Sequence, residues 1–318
     1  MTDEYRHIPV LLEESIDMLD IHEGDVCVDA TLGMGGHSSR MLERLGNDGL
    51  LIGIDQDDIA LETAEARLSK AARPQGAELK LAKGNFGQLD DILLEASVPG
   101  IDAILFDLGV SSPQIDIPQR GFSFKSDAPL DMRMDPGNQT LDAAEIINTY
   151  DEADLARIIR DNSDERWASR IAKFIVEARE DSPITSSETL VDVIKAAIPA
   201  KARRAGGHPA KRTFQALRIE VNDELGALRR GLDAAVRWLV PGGRICVISY
   251  HSLEDRIVKS TFASMADRCT CPTDMPICVC GLEPVLSIVN RKPIMASEEE
   301  VEANPRSRSA KLRVAERL

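Results

Sequence analysis

The sequence predicts an α/β protein, a Rossmann-like and mostly parallel sheet with a terminal antiparallel strand and an inserted helical domain. Three observations carry this. Short apolar runs alternate with helically spaced segments through the first third of the chain, the pattern of repeated strand-helix units. That rhythm stops between Gln114 and Arg212, where helical spacing continues without a convincing buried strand, and it resumes in "RICVISYHS" (Arg244 to Ser252). The implied boundaries are 1–114 for the first half of the sheet domain, 115–212 for the insertion and 213–318 for the second half.

Taken in order, "DVCVDA" (Asp25 to Ala30), "LLIGID" (Leu50 to Asp55), "ELKLAKG" (Glu78 to Gly84) and "IDAILFDLG" (Ile101 to Gly109) read as buried strands. Helices are expected over His37 to Leu45, Asp57 to Ala72 and Gln88 to Ala96. In the insertion they are expected near Leu141 to Ile147, Glu152 to Arg160, Trp167 to Glu180 and Ser187 to Ala197, the last opened by the "SSET" cap. Thr213 to Leu239 reads as one long helix ended by "VPGGR", and Leu253 to Ala266 as another. "PVLSIVN" and "AKLRVAER" suit a final antiparallel pair whose long connection carries acidic "SEEEVEANPRSR".

The chain has 318 residues, 43% hydrophobic and 29% charged, the composition of a globular enzyme with a substantial core. Neither a signal-peptide pattern nor a long apolar run is evident, so a cytoplasmic protein with no membrane partner is expected. A net charge of −15 argues against broad, unspecific nucleic-acid binding. Against that background the stretch from Lys195 to Ile219 holds seven Lys and Arg and no acid, either a local electrostatic footprint or a solvated loop.

Of six cysteines, Cys269, Cys271, Cys278 and Cys280 cluster in "CTCPTDMPICVC". Two Cys-x-Cys pairs across a proline-bearing turn could hold a structural zinc, or simply be reduced thiols. A catalytic thiol is disfavoured, since no arranged base stands beside them.

The stretch "VDATLGMGGHSS" (Val28 to Ser39) is a glycine-rich turn between a strand and a helix. In an open α/β sheet, ligands lie beyond the carboxyl ends of the strands, which puts Asp29, Thr31, Gly33, Gly35, Gly36 and His37 at a ligand. Asp55 ends the second strand, where a carboxylate can bind both ribose hydroxyls of an adenosine. "GMGGH" lacks the later third glycine of a dinucleotide site, and Asp29 would sit badly beside a pyrophosphate. An aspartate there could instead receive the ammonium of S-adenosylmethionine, which favours a class I methyltransferase over an NAD-dependent oxidoreductase. The fourth strand ends in "DLGVSSPQ" (Asp107 to Gln114), a carboxylate followed by small residues and proline. Acceptors of that kind can grip the protons of an exocyclic amine and localise its lone pair; alternatively Ser111 and Ser112 only stabilise a turn.

With "HIPVLLEE", "DATLGMGGHS", "GVSSPQ", "RGFSF", "PLDMRMD", "ERWASRIAKFIV", "HPAKRTFQALRIEVNDEL", "PGGRICVISYHSLEDRIVK" and "NPRSRSAKLRVAER", the chain resembles over nearly its whole length the MraW (RsmH) family of bacterial ribosomal small-subunit RNA cytosine-N4 methyltransferases. The resemblance implies methyl transfer from S-adenosylmethionine to N4 of one cytidine near the decoding centre of 16S RNA. It also implies cofactor contacts at Gly35, Gly36, His37, Asp55, Phe86, Asp107 and Gln114. Phe86 could stack on adenine or be a core residue. The resemblance is compatible with a homodimer. It does not extend to the four cysteines, which some family members lack.

A direct in-line displacement is expected, with Asp107, Ser111, Ser112 and Pro113 positioning the amine and His251 either meeting the substrate or entering a helix. The target cytosine must leave its stack. Arg120, Phe122, Phe124, Arg133, Arg203, Arg204, Lys211 and Arg212 are candidates for RNA contact, on a small ribosomal subunit already partly assembled. The alternative of a non-catalytic assembly factor is opposed by the acidic strand ends and the intact glycine loop.

Overall fold

The computed structural model describes residues 9–203, 207–267, 271 and 280–318, without the side chains of 71–75. In chain order the first elements are α1 (Leu12–Leu19), β1 (Val26–Asp29), α2 (Gly36–Leu45), β2 (Leu50–Asp55), α3 (Asp58–Gln75), β3 (Glu78–Lys83), α4 (Leu89–Ala96) and β4 (Ile101–Asp107). Helices follow: α5 (Ser112–Asp116), α6 (Ala143–Thr149), α7 (Glu152–Asp161), α8 (Ala168–Asp181), α9 (Ser187–Ala197), α10 (Ala200–Arg203), α11 (Lys211–Val221) and α12 (Glu224–Trp238). The chain closes with β5 (Leu239–Ser249), α13 (Ser252–Ala266), β6 (Leu286–Ile288), β7 (Ile294–Met295), α14 (Glu298–Ala303) and β8 (Lys311–Arg317). Two compact units result, one of residues 1–109 with 225–318 and one of residues 110–224.

The first unit holds one sheet in the order β3-β2-β1-β4-β5-β8-β6, with β7 also on β8. The first five strands run parallel, and β8 pairs antiparallel with β5, β6 and β7. Both faces are covered, and alternate side chains of one strand serve different cores. Ile245 and Val247 of β5 join Val28, Ile52, Ile104 and Phe106, whereas Cys246 and Ile248 join Cys27, Leu51, Leu105 and Leu312. A sheet covered on both sides reads as continuous apolar runs, which is why its strands stand out in the sequence.

The second unit packs α6 to α9 and α11 around Ile146, Ile158, Ile171, Ile175, Leu190 and Phe214. Its strand pairing, among the described residues, is the single bridge of Pro129 to Ser186.

Three expectations need correction. Thr213 to Leu239 is not one helix: α11 ends at Val221, Asp223 adopts φ +47°, and α12 begins at Glu224. Apolar spacing runs through both helices, so periodicity hides a break that is made by a side chain. Asn222, 5% exposed, donates from Nδ2 to the carbonyls of Met132 (2.8 Å) and Arg218 (2.8 Å) and accepts from the Met134 N–H (2.9 Å). "VPGGR" does not merely terminate a helix, because β5 starts at Leu239, opposite Ile101, and the register shifts before Arg244 meets Ala103. Gly243 allows that irregularity: a Cβ there would lie 2.9 Å from the Asp102 carbonyl oxygen. β5 also ends at Ser249, three residues before the expected Ser252. Finally, the acidic connection near the carboxyl end carries β7 and α14.

Truncating Asn222 to Ala would strand buried backbone groups of the 132–134 segment, at a cost of about 2–4 kcal/mol. Chemical denaturation is expected to show that loss in the second unit, and a change below about 0.5 kcal/mol would show that water replaces the side chain.

Candidate functional site

The first unit brings three aspartates to the carboxyl ends of adjacent parallel strands: Asp29 on β1, Asp55 on β2 and Asp107 on β4. The glycine turn runs among them. Gly35, at φ +72°, caps α2 in a conformation disfavoured for other residues. Gly36 has a different reason to be glycine, since a Cβ there would run into the Pro9 ring. At Gly33 a Cβ would meet nothing nearer than the Thr31 carbonyl oxygen at 3.8 Å, so the backbone borders open space.

Asp55 shapes this turn. Its Oδ2 accepts the Gly33 N–H at 2.8 Å and its Oδ1 the Asp57 N–H at 2.9 Å. Burial nevertheless pushes its carboxyl up to about 6. Asp29 is 1% exposed, with Oδ2 accepting from the Ser38 hydroxyl at 2.6 Å and Oδ1 from the Thr31 N–H at 3.2 Å. Its carboxyl is also raised by burial, an effect opposed by His37, Ser38 and Thr31. Asp107 has its backbone N–H on the Thr31 hydroxyl at 2.6 Å, and burial raises its carboxyl to about 7.

His37 is buried at the start of α2. Its Nε2 lies 3.1 Å from the Val10 carbonyl oxygen and its Nδ1 3.8 Å from Asp107 Oδ2. Burial lowers its pKa, so the neutral imidazole is favoured. Phe86 packs edge-on against Phe106, with ring centroids 5.6 Å apart, and lies over Gly231 of α12 while remaining half-buried.

Sequence reasoning missed Tyr250. Its hydroxyl donates to Asp107 Oδ1 at 2.7 Å. The residue stands in "SYHSLED" beside His251, but its link to Asp107 depends on β4 and β5 being neighbours, with Asp107 opposite Ile248. His251 itself is the helix-entry residue. It precedes α13, its Nδ1 accepts the Glu254 N–H at 3.4 Å, and its Nε2 is 3.1 Å from Glu254 Oε1.

The remaining predicted residues belong to the second unit. Ser111 caps α5 and donates its N–H to Gln114 Oε1 at 3.0 Å; Ser112 and Gln114 are buried, and Pro113 lies in the first turn. Arg120 and Arg133, the two candidates for phosphate contact in this loop, both bond within it. Arg120 donates to the carbonyls of Arg133 and Met134 at 3.1 Å each. Arg133 makes two 2.8 Å bonds to Asp131 and a third to the Gln139 carbonyl at 2.9 Å. Phe124 stacks on His208 with centroids 4.5 Å apart, and Phe122 lies under Arg120. Arg203, Lys211 and Arg212 are exposed, Arg212 reaching the Asp164 carbonyl at 3.1 Å. Arg204 lies outside the described residues.

Cys269 and Cys278 lie outside them too. Among the described residues no three His, Cys, Asp or Glu side chains gather as a metal site would require, so the zinc expectation gains no support. No helix among these residues is long and apolar enough to cross a membrane.

The three carboxyls are held by backbone N–H groups and hydroxyls. This donor set suits a ligand that brings positive charge and hydroxyl groups, as S-adenosylmethionine does with its sulfonium, ammonium and ribose.

A family model described as the MraW methylase family matches residues 4–318. The ribosomal RNA small subunit methyltransferase H of Symbiobacterium thermophilum is 54% identical over 314 residues, spanning 99% of this chain and 97% of the relative. Those of Paenibacillus sp. and Heliobacterium mobile are each 53% identical, over 320 and 316 residues, and both alignments span 99% of this chain and 100% of the relative.

Asp55 and Asp107 hold protons more tightly in the folded chain than an unfolded aspartate, which titrates near about 3.9. Folding therefore takes up protons between about pH 4 and 7, and these groups add stability as the pH falls through that window. Thermal unfolding of the ligand-free protein should show Asp107→Asn to be at least as stable as the parent at about pH 8 and to gain less on acidification. An unchanged pH slope would contradict the raised carboxyl.

Proposed function

The chain belongs to the MraW methylase family, and on that premise we propose that it methylates the N4 amine of one cytidine near the decoding centre of small-subunit ribosomal RNA. The observation that carries this reading is the Asp107 carboxyl, fixed at the end of β4 beside the glycine turn. S-adenosylmethionine supplies the electrophilic methyl group. Asp55 accepts the ribose hydroxyls, the turn at Gly33 and Gly35 with the start of α2 receives the amino-acid end, and the open face of Phe86 meets the adenine. Asp29 acts from within the loop, adding negative charge for the cationic donor while holding Thr31 and Ser38.

A cytosine amine is a weak nucleophile because its lone pair is drawn into the ring. Asp107 accepts one of its protons, keeps the lone pair directed at the methyl group and takes up the proton that the amine sheds after transfer. No covalent enzyme intermediate is needed. Ser111, Ser112 and Pro113, next in the chain, complete the substrate contacts in this reading, and His251 serves to start α13. The exposed Arg203, Lys211 and Arg212, with Arg204 between them in sequence, supply phosphate contacts. So small a basic patch on an acidic chain favours a shaped, partly assembled subunit over naked RNA.

Small subunits from cells lacking the modification, incubated with labelled S-adenosylmethionine and digested to nucleosides, should yield N4-methylcytidine; label in another nucleoside would refute the reading. Asp107→Ala is expected to cut transfer by about 10²–10³-fold, the range seen when one oriented polar contact to a reacting group is lost, with subunit binding retained.

A further inference from the structure

The turn that closes β5 carries a side chain that has no part in the reading above. Tyr250 donates its phenol proton to Asp107 Oδ1 at 2.7 Å, and both partners of that bond are anchored by the protein itself. On one side Glu254, 3% exposed, accepts the backbone N–H groups of Tyr250 (2.8 Å) and His251 (3.1 Å) on Oε2, which pins the turn. On the other, the Asp107 N–H is tied to Thr31. The Asp107 side chain still keeps 20% of its surface open.

A carboxylate that spends one oxygen on a phenol has the other left for substrate. The neighbouring histidine does not compete for it. His37 Nε2 faces the Val10 carbonyl, which can only accept, so the neutral ring carries its proton on Nε2 and turns an unprotonated Nδ1 towards Asp107 Oδ2.

We propose that Tyr250 is a positioning residue for methyl transfer, holding Asp107 Oδ1 so that Oδ2 receives the proton of the attacking amine. The proposal rests on the cytosine-N4 reading. In the step itself the amine lone pair forms the nitrogen–carbon bond, and the carbon–sulfur bond breaks with its electron pair staying on sulfur. The nitrogen, now cationic, passes one proton to Asp107 Oδ2, which later returns it to solvent.

The groups acting on this pair are Asp29 at the end of β1, His37 on α2 and Glu254 on α13, with Glu300 of α14 acting on Tyr250 and His37. The phenol favours the ionised carboxylate and Glu254 opposes it. Loss of the phenol therefore moves the Asp107 titration to higher pH, an effect that a purely structural role would not have.

The test is methyl transfer onto unmodified small subunits across about pH 5.5 to 9.5, with product identity checked as N4-methylcytidine, for the full chain and for Tyr250→Phe. The variant is expected to lose about tenfold in kcat at pH 7, to regain much of it by about pH 9 and to keep its KM for S-adenosylmethionine within about twofold. A loss by the same factor at every pH overturns the proposal and leaves the N4 reading standing; a parent protein that makes no N4-methylcytidine overturns both. Should the Phe variant fail to fold, replacing the chain's 3 tyrosines by 3-fluorotyrosine, a stronger phenolic donor, provides the second arm. The acidic limb should then move to lower pH, and a limb that stays put or rises overturns the proposal.

Discussion

Three carboxyl groups, one buried and two half-buried, gather at the carboxyl ends of adjacent parallel strands, and the local architecture is arranged around keeping them there. Asp29, Asp55 and Asp107 stand at the ends of β1, β2 and β4, where desolvation works against their charge. Asp55 ties the glycine turn to β2, and Asp29 reaches Ser38 on α2. Thr31 serves two of the three: its N–H meets Asp29 and its hydroxyl meets the Asp107 backbone. The turn is thereby shaped before any ligand arrives, and the cost of gathering negative charge is carried by backbone and hydroxyl donors.

Such a cluster has a chemical use. In the proposed reading it attracts a sulfonium, offers acceptors to ribose hydroxyls and gives an amine about to lose a proton a carboxyl poised near neutrality. Asp107, raised to about 7, can give and take a proton at physiological pH, whereas an ordinary aspartate cannot. Burial is the main cause of that rise; the Tyr250 phenol lowers the titration and the Glu254 carboxylate raises it, so the turn after β5 adjusts the proton affinity of the group that ends β4.

The parts legible in the sequence are those whose signal is local. Strands buried on both faces appear as unbroken apolar runs, and a carboxylate at the end of such a run identifies itself, as Asp55 and Asp107 do. Phe86 shows the limit of local evidence, because an aromatic residue after a strand suits both a core contact and a ligand face, and it does pack on Phe106. The break between α11 and α12 is not legible because Asn222 bonds the Met132 carbonyl, 90 residues earlier in the chain, and the Met134 N–H. The bonds of Arg120 and Arg133 within their own loop are not legible either, because that loop has no periodicity. Tyr250 was invisible for a related reason, since only the pairing of β4 with β5 brings it to Asp107.

If the carboxyls at the ends of β1, β2 and β4 select a cationic donor, the affinity of the ligand-free protein for S-adenosylmethionine relative to S-adenosylhomocysteine depends on pH. The two ligands differ in the sulfonium charge. As the pH rises through about 6 to 7 and Asp55 and Asp107 ionise, the preference for S-adenosylmethionine should grow. A ratio that stays flat or falls over that range would contradict the account.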